Sequence, residues 1–173
     1  MRIAISGTPG TGKTVISKKL SEKMKYTLIE LNKEIKKHKL YDSYDKRRRC
    51  FVVNMNRVIR YANKIKEKNI IIDSHLSHFL EKNNIVIVLR CNPKILEKRL
   101  KRKRWNKEKI RENVEAELIG LISWEARQTN KNVFDVDTSR GKALNTIERI
   151  INGRGNRKQI NWSKEWTRKC IRS

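Results

Sequence analysis

The sequence predicts an α/β fold in which a five-stranded parallel sheet is flanked by helices. Short apolar runs that suit buried strands alternate with longer segments whose apolar residues recur every three or four positions. A glycine-rich octapeptide stands between the first run and the first of these segments. With 173 residues, the chain is long enough for one domain with a full core.

The predicted strands are short runs of isoleucine, valine and leucine that end near polar residues. They lie at residues 3–5, 27–31, 70–73, 85–89 and 133–136. Runs of this kind are typical of strands buried on both faces, as in a parallel sheet covered by helices.

The helices are predicted from apolar stripes. Asn92 is the expected N-cap of one helix, and Pro93 is its first helical residue. Five helical segments are predicted. Three are given by their ranges, residues 52–66, 110–122 and 143–151, and two by their apolar faces, Ile16, Leu20 and Met24 in one and Ile95, Leu96 and Leu100 in the other. Residues 32–49 are polar and basic and are expected outside the core.

The charge balance favours a polyanionic partner. The chain has 43 lysine and arginine residues against 18 aspartate and glutamate residues, a net charge of +25. Such a surplus suits nucleic acid, nucleotides or an acidic surface, and a merely charged surface is the simpler alternative. The basic extension 153–173 holds seven of these cations, and its Trp162 and Trp166 are expected to pack on the core.

Several classes of protein are disfavoured by the composition. No apolar run is long enough for a transmembrane helix, and the N-terminal apolar run is too short for a signal peptide. Cys50, Cys91 and Cys170 are far apart, so neither a zinc site nor a disulfide framework is predicted. We therefore expect a cytoplasmic protein with reduced thiols and no membrane partner.

Residues 7–14, GTPGTGKT, match the phosphate-binding pattern G-x-x-x-x-G-K-[ST] in full. The pattern follows a predicted strand and precedes a predicted helix, which is the context that it requires. Its glycines let backbone amides approach phosphate oxygens, and the helix N-terminus favours an anion. Lys13 is expected to bind the β- and γ-phosphates, and Thr14 to offer its hydroxyl to Mg²⁺.

Asp73 stands at the end of an apolar strand, where ligands of open α/β sheets bind. It is a candidate for holding Mg²⁺ through water. His75 lies two residues further on and is a candidate for orienting an attacking water or an acceptor. A surface or capping role for His75 is the open alternative.

A basic segment, residues 99–104, follows the fourth predicted strand and its helix. Mobile cations stabilise the charge that develops during γ-phosphoryl transfer. Arg99 and Lys103 are one helical turn apart and are candidates for this role. A solvated helix end and a contact with RNA backbone are the alternatives.

Four segments of the chain resemble the adenylate kinase isoenzyme six family. They are residues 7–14, LYDSYD at 40–45, IIIDSH at 70–75, and LRCNPKILEKRLKRKRWNKEKIRENVEAEL at 89–118. The family comprises atypical nucleoside monophosphate (NMP) kinases, also described as small-subunit ribosome maturation ATPases of archaea and eukaryotes. The resemblance covers residues 1–152 and implies a P-loop kinase domain, with an NMP-binding insertion at about 31–54 and a short lid at about 102–112.

The resemblance also implies roles for individual residues. The ATP phosphates would be lined by Gly10, Gly12, Lys13, Thr14 and Val15. Asp73 and His75 would match the family's Asp-x-His, which is linked to metal positioning and hydrolysis. Lys103 stands where the family has arginine, and a lysine lacks the planar fork that binds phosphate. Mg²⁺, ATP and AMP, a small-subunit ribosomal platform protein and rRNA are the implied cofactor, substrates and partners.

Two functions fit these features. The first is transfer of the γ-phosphoryl of ATP to AMP, and the second is an ATP-driven switch in ribosome assembly. A GTPase is disfavoured because the sequence has no Asn-Lys-x-Asp motif, and a shikimate-type kinase because residues 30–33 read ELNK. A pure RNA-binding module leaves the phosphate loop unexplained.

The acceptor site is weakly indicated by the sequence. The candidates for binding a monophosphate are Arg47, Arg48, Arg49 and Arg57, and those for stacking on a base are Tyr41 and Tyr44. At least two of the arginines are expected to be merely solvated.

Overall fold

The computed structural model describes residues 1–46 and 50–163. In chain order, the elements are β1 (Arg2–Gly7), α1 (Lys13–Met24), β2 (Thr27–Glu30), α2 (Leu31–Lys37), β3 (Tyr41–Asp45), β4 (Cys50–Val53), α3 (Met55–Asn63), β5 (Ile70–Asp73), a 3₁₀ turn (Ser77–Phe79), β6 (Ile85–Arg90), α4 (Pro93–Arg102), α5 (Lys107–Ile119), α6 (Leu121–Thr129), β7 (Val133–Asp137) and α7 (Ala143–Ile151).

The central sheet has five parallel strands in the order β2-β5-β1-β6-β7, which confirms the predicted α/β fold. Ile5 of β1 pairs with Asp73 of β5 on one side and with Ile87 of β6 on the other. The carboxyl ends of β1, β5 and β6 therefore lie side by side at one edge of the sheet. The loop after β1 and the residues after β5 meet at this edge.

Helices cover both faces of the sheet, as the apolar character of the strands requires. On one face, α1 and α7 pack against the sheet through buried residues such as Leu20 and Ile147. On the other face, α2 and α3 cover β5, with Val58 fully buried, and α6 covers β1, β6 and β7 through Ala126. The strands β1, β5 and β6 are consequently buried along almost their whole length.

The polar insertion contains structure that the sequence pattern did not predict. An antiparallel hairpin, β3–β4, follows α2, and Val52 and Val53 belong to its second strand. The predicted helix over 52–66 is therefore wrong at its start, because α3 begins at Met55. Asn54 caps α3 by accepting a hydrogen bond from the backbone N–H of Arg57 at 3.1 Å.

The predicted helix over 110–122 is two helices, α5 and α6, which meet at Gly120. Gly120 has a φ of 72°, a left-handed conformation that favours glycine. A Cβ at this position would also lie 3.2 Å from Nη1 of Arg90. The apolar spacing continues across the break, so periodicity alone did not reveal it.

The basic extension follows the core without regular structure over residues 154–162. Trp162 is buried, as predicted. Trp166 and Arg47 to Arg49 lie outside the described residues. In the part of the chain that the structure describes, none of the helices has the length and apolar character needed to cross a membrane.

Candidate nucleotide-binding site

The loop between β1 and α1 has the backbone of a phosphate loop. Gly7, Gly10 and Gly12 have φ values of 134°, 95° and 98°, a region that favours glycine. A Cβ on Gly10 would lie 2.8 Å from Leu100 of α4, so the loop also needs a residue without a side chain there. Gly12 is the N-cap of α1, which places the amino end of that helix in the loop.

Lys13 lies across this loop. Its Nζ donates to the carbonyl oxygen of Gly7 at 2.7 Å and to that of Thr8 at 3.2 Å. Burial lowers the pKa of Lys13 to about 8; the charges of Asp73 and Glu117 raise it, and that of Lys103 lowers it. Lys13 is therefore mostly protonated at neutral pH and supplies a partly buried positive charge at the loop.

Thr14 and Asp73, both predicted to hold a metal ion, are in direct contact. The Thr14 hydroxyl donates to Oδ2 of Asp73 at 2.8 Å. Burial raises the pKa of Asp73, while the Thr14 hydrogen bond and the charge of Lys13 lower it. Hydroxyl and carboxylate oxygens are the ligands that Mg²⁺ prefers, with phosphate oxygens and water completing its shell. This pair fits the predicted ion.

His75 lies just beyond Asp73 at the same sheet edge. Burial and the charge of Lys13 lower the pKa of His75 to about 4, so its imidazole is neutral at pH 7. His78, three residues further, is fully buried, and its Nδ1 lies 2.9 Å from the hydroxyl of Ser6. His75 is therefore a half-buried histidine near the loop, whereas His78 belongs to the core.

Lys103 directly follows α4 and is exposed. Its charge is close enough to Lys13 to contribute to the lowered pKa of that amine. Arg99 does not converge with Lys103 on one point. Its Nη2 donates to the carbonyl oxygen of Thr138 at 2.8 Å and its Nη1 to the Thr138 hydroxyl at 3.3 Å. Of this pair, only Lys103 contributes to the lowered pKa of Lys13.

Val15 occupies the first turn of α1, and its side chain is 60% exposed. Its predicted place beside the phosphates therefore depends on its backbone N–H at the helix N-terminus rather than on its side chain.

The acceptor candidates lie on the hairpin and on α3. The rings of Tyr41 and Tyr44 pack against Phe51, with centroids 4.3 Å and 5.1 Å from it. Nη1 of Arg57 lies 3.7 Å from Asp42 in an exposed ion pair. These aromatic contacts stabilise the hairpin, and the assignment of acceptor contacts stays a prediction.

Sequence reasoning missed a buried polar network beside the loop. Arg90 donates from Nε to Glu117 at 2.8 Å and from Nη1 to Asp135 at 3.1 Å, and the Thr8 hydroxyl donates to Glu117 at 2.6 Å. Glu117 lies seven residues after the buried Ile110, on the apolar stripe of α5. An acidic residue on such a stripe was the available signal for this network.

The strand order and the phosphate loop show that the protein has a P-loop kinase fold. Similar solved structures include shikimate kinase from Acinetobacter baumannii in complex with shikimate, with a TM-score of 0.61 and 13% identity, covering 88% of this chain and 93% of that one. Deoxyadenosine kinase from M. mycoides with bound dATP has a TM-score of 0.54 and 18% identity, covering 88% of this chain and 100% of that one.

Residues 3–120 match the AAA domain family. A protein of Methanocaldococcus jannaschii named "Putative adenylate kinase" is 36% identical over 171 residues, which is 98% of this chain and 94% of that protein. One of the same name from Thermococcus kodakarensis is 42% identical over 160 residues, which is 88% of this chain and 84% of that protein. The chain belongs to the family of these archaeal proteins.

Proposed function

We propose that this protein is a Mg-ATP-dependent NMP kinase that converts ATP and AMP into two ADP. The observation that carries the proposal is the phosphate loop with Lys13 lying across it and the Thr14–Asp73 contact at its end. The names of the archaeal relatives support AMP as the acceptor. The NMP-binding insertion at about 31–54 and the lid at about 102–112 are part of this proposal.

In this reaction, the chain positions the reactants and stabilises negative charge. The loop amides and the N-terminus of α1 bind the phosphates of ATP. Lys13 leaves the carbonyl oxygens of Gly7 and Thr8 and moves its charge to the β- and γ-phosphates. Lys103 supplies a second positive charge from the lid. Because Lys103 is a point charge, we expect it to stabilise charge without fixing the phosphate in one orientation.

Thr14 and Asp73 would hold Mg²⁺, Thr14 through its hydroxyl and Asp73 through a water molecule that its carboxylate binds. When bound, the ion neutralises charge on the β- and γ-phosphate oxygens. The Thr14–Asp73 hydrogen bond keeps the hydroxyl and the carboxylate together in the free protein.

The proposal is tested by incubating the pure protein with Mg-ATP, with and without AMP, and measuring ADP and inorganic phosphate separately. We expect ADP to form in proportion to added AMP, at two molecules for each AMP consumed. A protein that binds Mg-ATP but forms no ADP from AMP would contradict the kinase proposal.

We expect the affinity for Mg-ATP to fall as the pH rises above about 8. Burial lowers the pKa of Lys13 from 10.5 to about 8, so the free protein loses this charge above that pH. Since the phosphates bind the protonated amine, the dissociation constant should rise by up to about tenfold per pH unit. Calorimetric titrations at several pH values between 7 and 10 measure this, and a constant affinity would contradict it.

His75→Ala should reduce ATP hydrolysis by about a hundredfold and leave the affinity for Mg-ATP unchanged. The reason is that, in this proposal, the neutral imidazole orients the attacking water and does not bind the phosphates. His38→Ala, at an exposed histidine next to Glu34, is the matched control and should keep full hydrolysis. Hydrolysis that is equally fast in both variants would return His75 to a structural role.

A role as an ATPase switch in small-subunit ribosome maturation is the second candidate. It is favoured by the net charge of +25, since a small-molecule kinase has no need of such a surplus. The resemblance of residues 70–75 and 89–118 to the isoenzyme six family also supports it. The partners would be a ribosomal platform protein and rRNA.

This second candidate predicts that phosphate release is independent of AMP and rises when small-subunit rRNA or the platform protein is added. Replacing Arg154, Arg157 and Lys158 of the extension by glutamine should weaken rRNA binding and reduce its salt dependence. Substitution is preferable to truncation, because Trp162 of the same segment is buried in the core. Hydrolysis that responds to neither partner would reject this candidate.

A further inference from the structure

Glu117 is a buried carboxylate with no part in the predicted chemistry, and four donors surround it. Its Oε2 accepts from the Thr8 hydroxyl at 2.6 Å. Its Oε1 accepts from Nε of Arg90 at 2.8 Å, from the backbone N–H of Cys91 at 2.9 Å, and from the indole N–H of Trp162 at 3.2 Å. Four donors fit an ionised carboxylate, which only accepts hydrogen bonds. Glu117 thus joins the phosphate loop, the end of β6 and the C-terminal segment.

The contact with Thr8 acts on the centre of the phosphate loop. The carbonyl oxygen of Thr8 accepts from the backbone N–H of Thr11 at 3.2 Å, from the Thr11 hydroxyl at 2.8 Å and from Nζ of Lys13 at 3.2 Å. Thr8 is 2% exposed. Because Glu117 fixes the side chain of Thr8, it also fixes the peptide that closes the turn and holds Lys13.

The C-terminal segment, residues 160–162, also contributes hydrogen bonds to this network. The carbonyl oxygen of Ile160 accepts from Nη1 of Arg90 at 2.8 Å, and its N–H donates to Asp135 at 2.9 Å. Trp162 is 6% exposed and adds its indole N–H to Glu117. Residues 160–162 therefore contribute both backbone and side-chain partners to the buried charges.

We propose that Glu117 is a positioning residue for the phosphate loop, and that Trp162 helps to hold it in place. Through Thr8, Glu117 keeps the loop in the conformation that binds ATP phosphates. The inference rests on the proposed function, since it takes the loop as the ATP site. It adds that residues 160–162, far along the chain from the loop, support nucleotide binding.

A network that served stability alone would behave differently from one that positions the loop. Its loss would lower the melting temperature and leave the affinity of the folded protein for Mg-ATP unchanged. Affinity and melting temperature are therefore measured on the same variants, at a temperature where each of them is folded.

The test uses calorimetric binding of Mg-ATP to the full chain. We expect T8V and E117Q each to weaken binding by about tenfold, and T8S, which keeps the hydroxyl, to restore it. The double variant T8V/E117A should bind no more weakly than E117A, because either change alone removes the hydrogen bond between Thr8 and Glu117. E115Q is the matched control: Glu115 is on the same helix with 65% of its side chain exposed, and the variant should bind like the wild type.

W162F tests the C-terminal part of the inference, because it keeps an aromatic ring and removes the indole N–H together with part of the buried ring volume. We expect about threefold weaker Mg-ATP binding. Unchanged affinity in W162F would overturn the role of the C-terminal segment.

The possible failures are distinguishable. A wild-type protein that does not bind Mg-ATP would reject the proposed function itself. Binding that is lost in K13A but unchanged in T8V and E117Q would overturn the inference alone. If E117Q does not fold, the comparison of T8V with T8S decides, because the Arg90–Glu117 contact is intact in both.

Discussion

Lys13→Ala should abolish turnover and tight binding of Mg-ATP. The ammonium is held over the phosphate loop by the carbonyl oxygens of Gly7 and Thr8, and alanine leaves no cation at the β- and γ-phosphates. Since a single group that stabilises developing charge commonly contributes a hundredfold to a thousandfold, and Lys13 also binds the ground state, we expect kcat/KM to fall by at least about a thousandfold.

The same variant should fold as well as the wild type. Burial lowers the pKa of Lys13, which means that the folded protein holds the charged amine at a cost, so its removal should leave the melting temperature equal or higher. Lys19→Ala, at an exposed position of α1, is the control and should retain full activity. Turnover close to that of the wild type in Lys13→Ala would contradict the assignment of the site.

Arg90→Met should produce a large loss of stability. The guanidinium of Arg90 is fully buried between Glu117 and Asp135, and methionine leaves both carboxylates without it. Removing one partner of a buried ion pair costs about 3–5 kcal/mol, against a total of about 5–15 kcal/mol for a typical protein. Urea unfolding followed by circular dichroism measures the difference.

Arg111→Met supplies the comparison for Arg90. Arg111 is on α5 and pairs with Glu115 at 3.8 Å, with 74% of its side chain exposed. Exposed pairs of this kind contribute about 0–1 kcal/mol, so this variant should unfold at nearly the wild-type urea concentration. Equal losses in the two variants would show that the network around Arg90 contributes little to folding.

The sequence predicted those features of the fold and of the site that depend on residues close together in the chain. The glycines of residues 7–14 predict the backbone conformation of the phosphate loop. The apolar run that ends in Asp73 predicts that this residue lies where the strand ends, at the edge of the sheet. The structure brings Thr14 and Asp73 into contact, as expected from the meeting of β1 and β5 at that edge. The five strands followed from their apolar runs in the same way.

The features that were missed depend on contacts between distant parts of the chain. The break at Gly120 is invisible to apolar periodicity, because the residues on both sides of it continue the same spacing. Glu117 and Trp162 are 45 positions apart in sequence, and nothing local to either residue indicates their contact. Val52 and Val53 were predicted to be helical because β3, the strand with which they pair, was itself not predicted.

The two hydrogen bonds of Lys13 to the loop carbonyls have a consequence for the energetics of nucleotide binding. Because Lys13 gives up these contacts when it moves to the phosphates, their free energy reduces the affinity for the nucleotide. A triphosphate offers several charged oxygens at once and can make this exchange favourable, whereas a lone inorganic phosphate ion offers far fewer. The free loop therefore favours a ligand whose phosphate oxygens can replace both carbonyl contacts of Lys13.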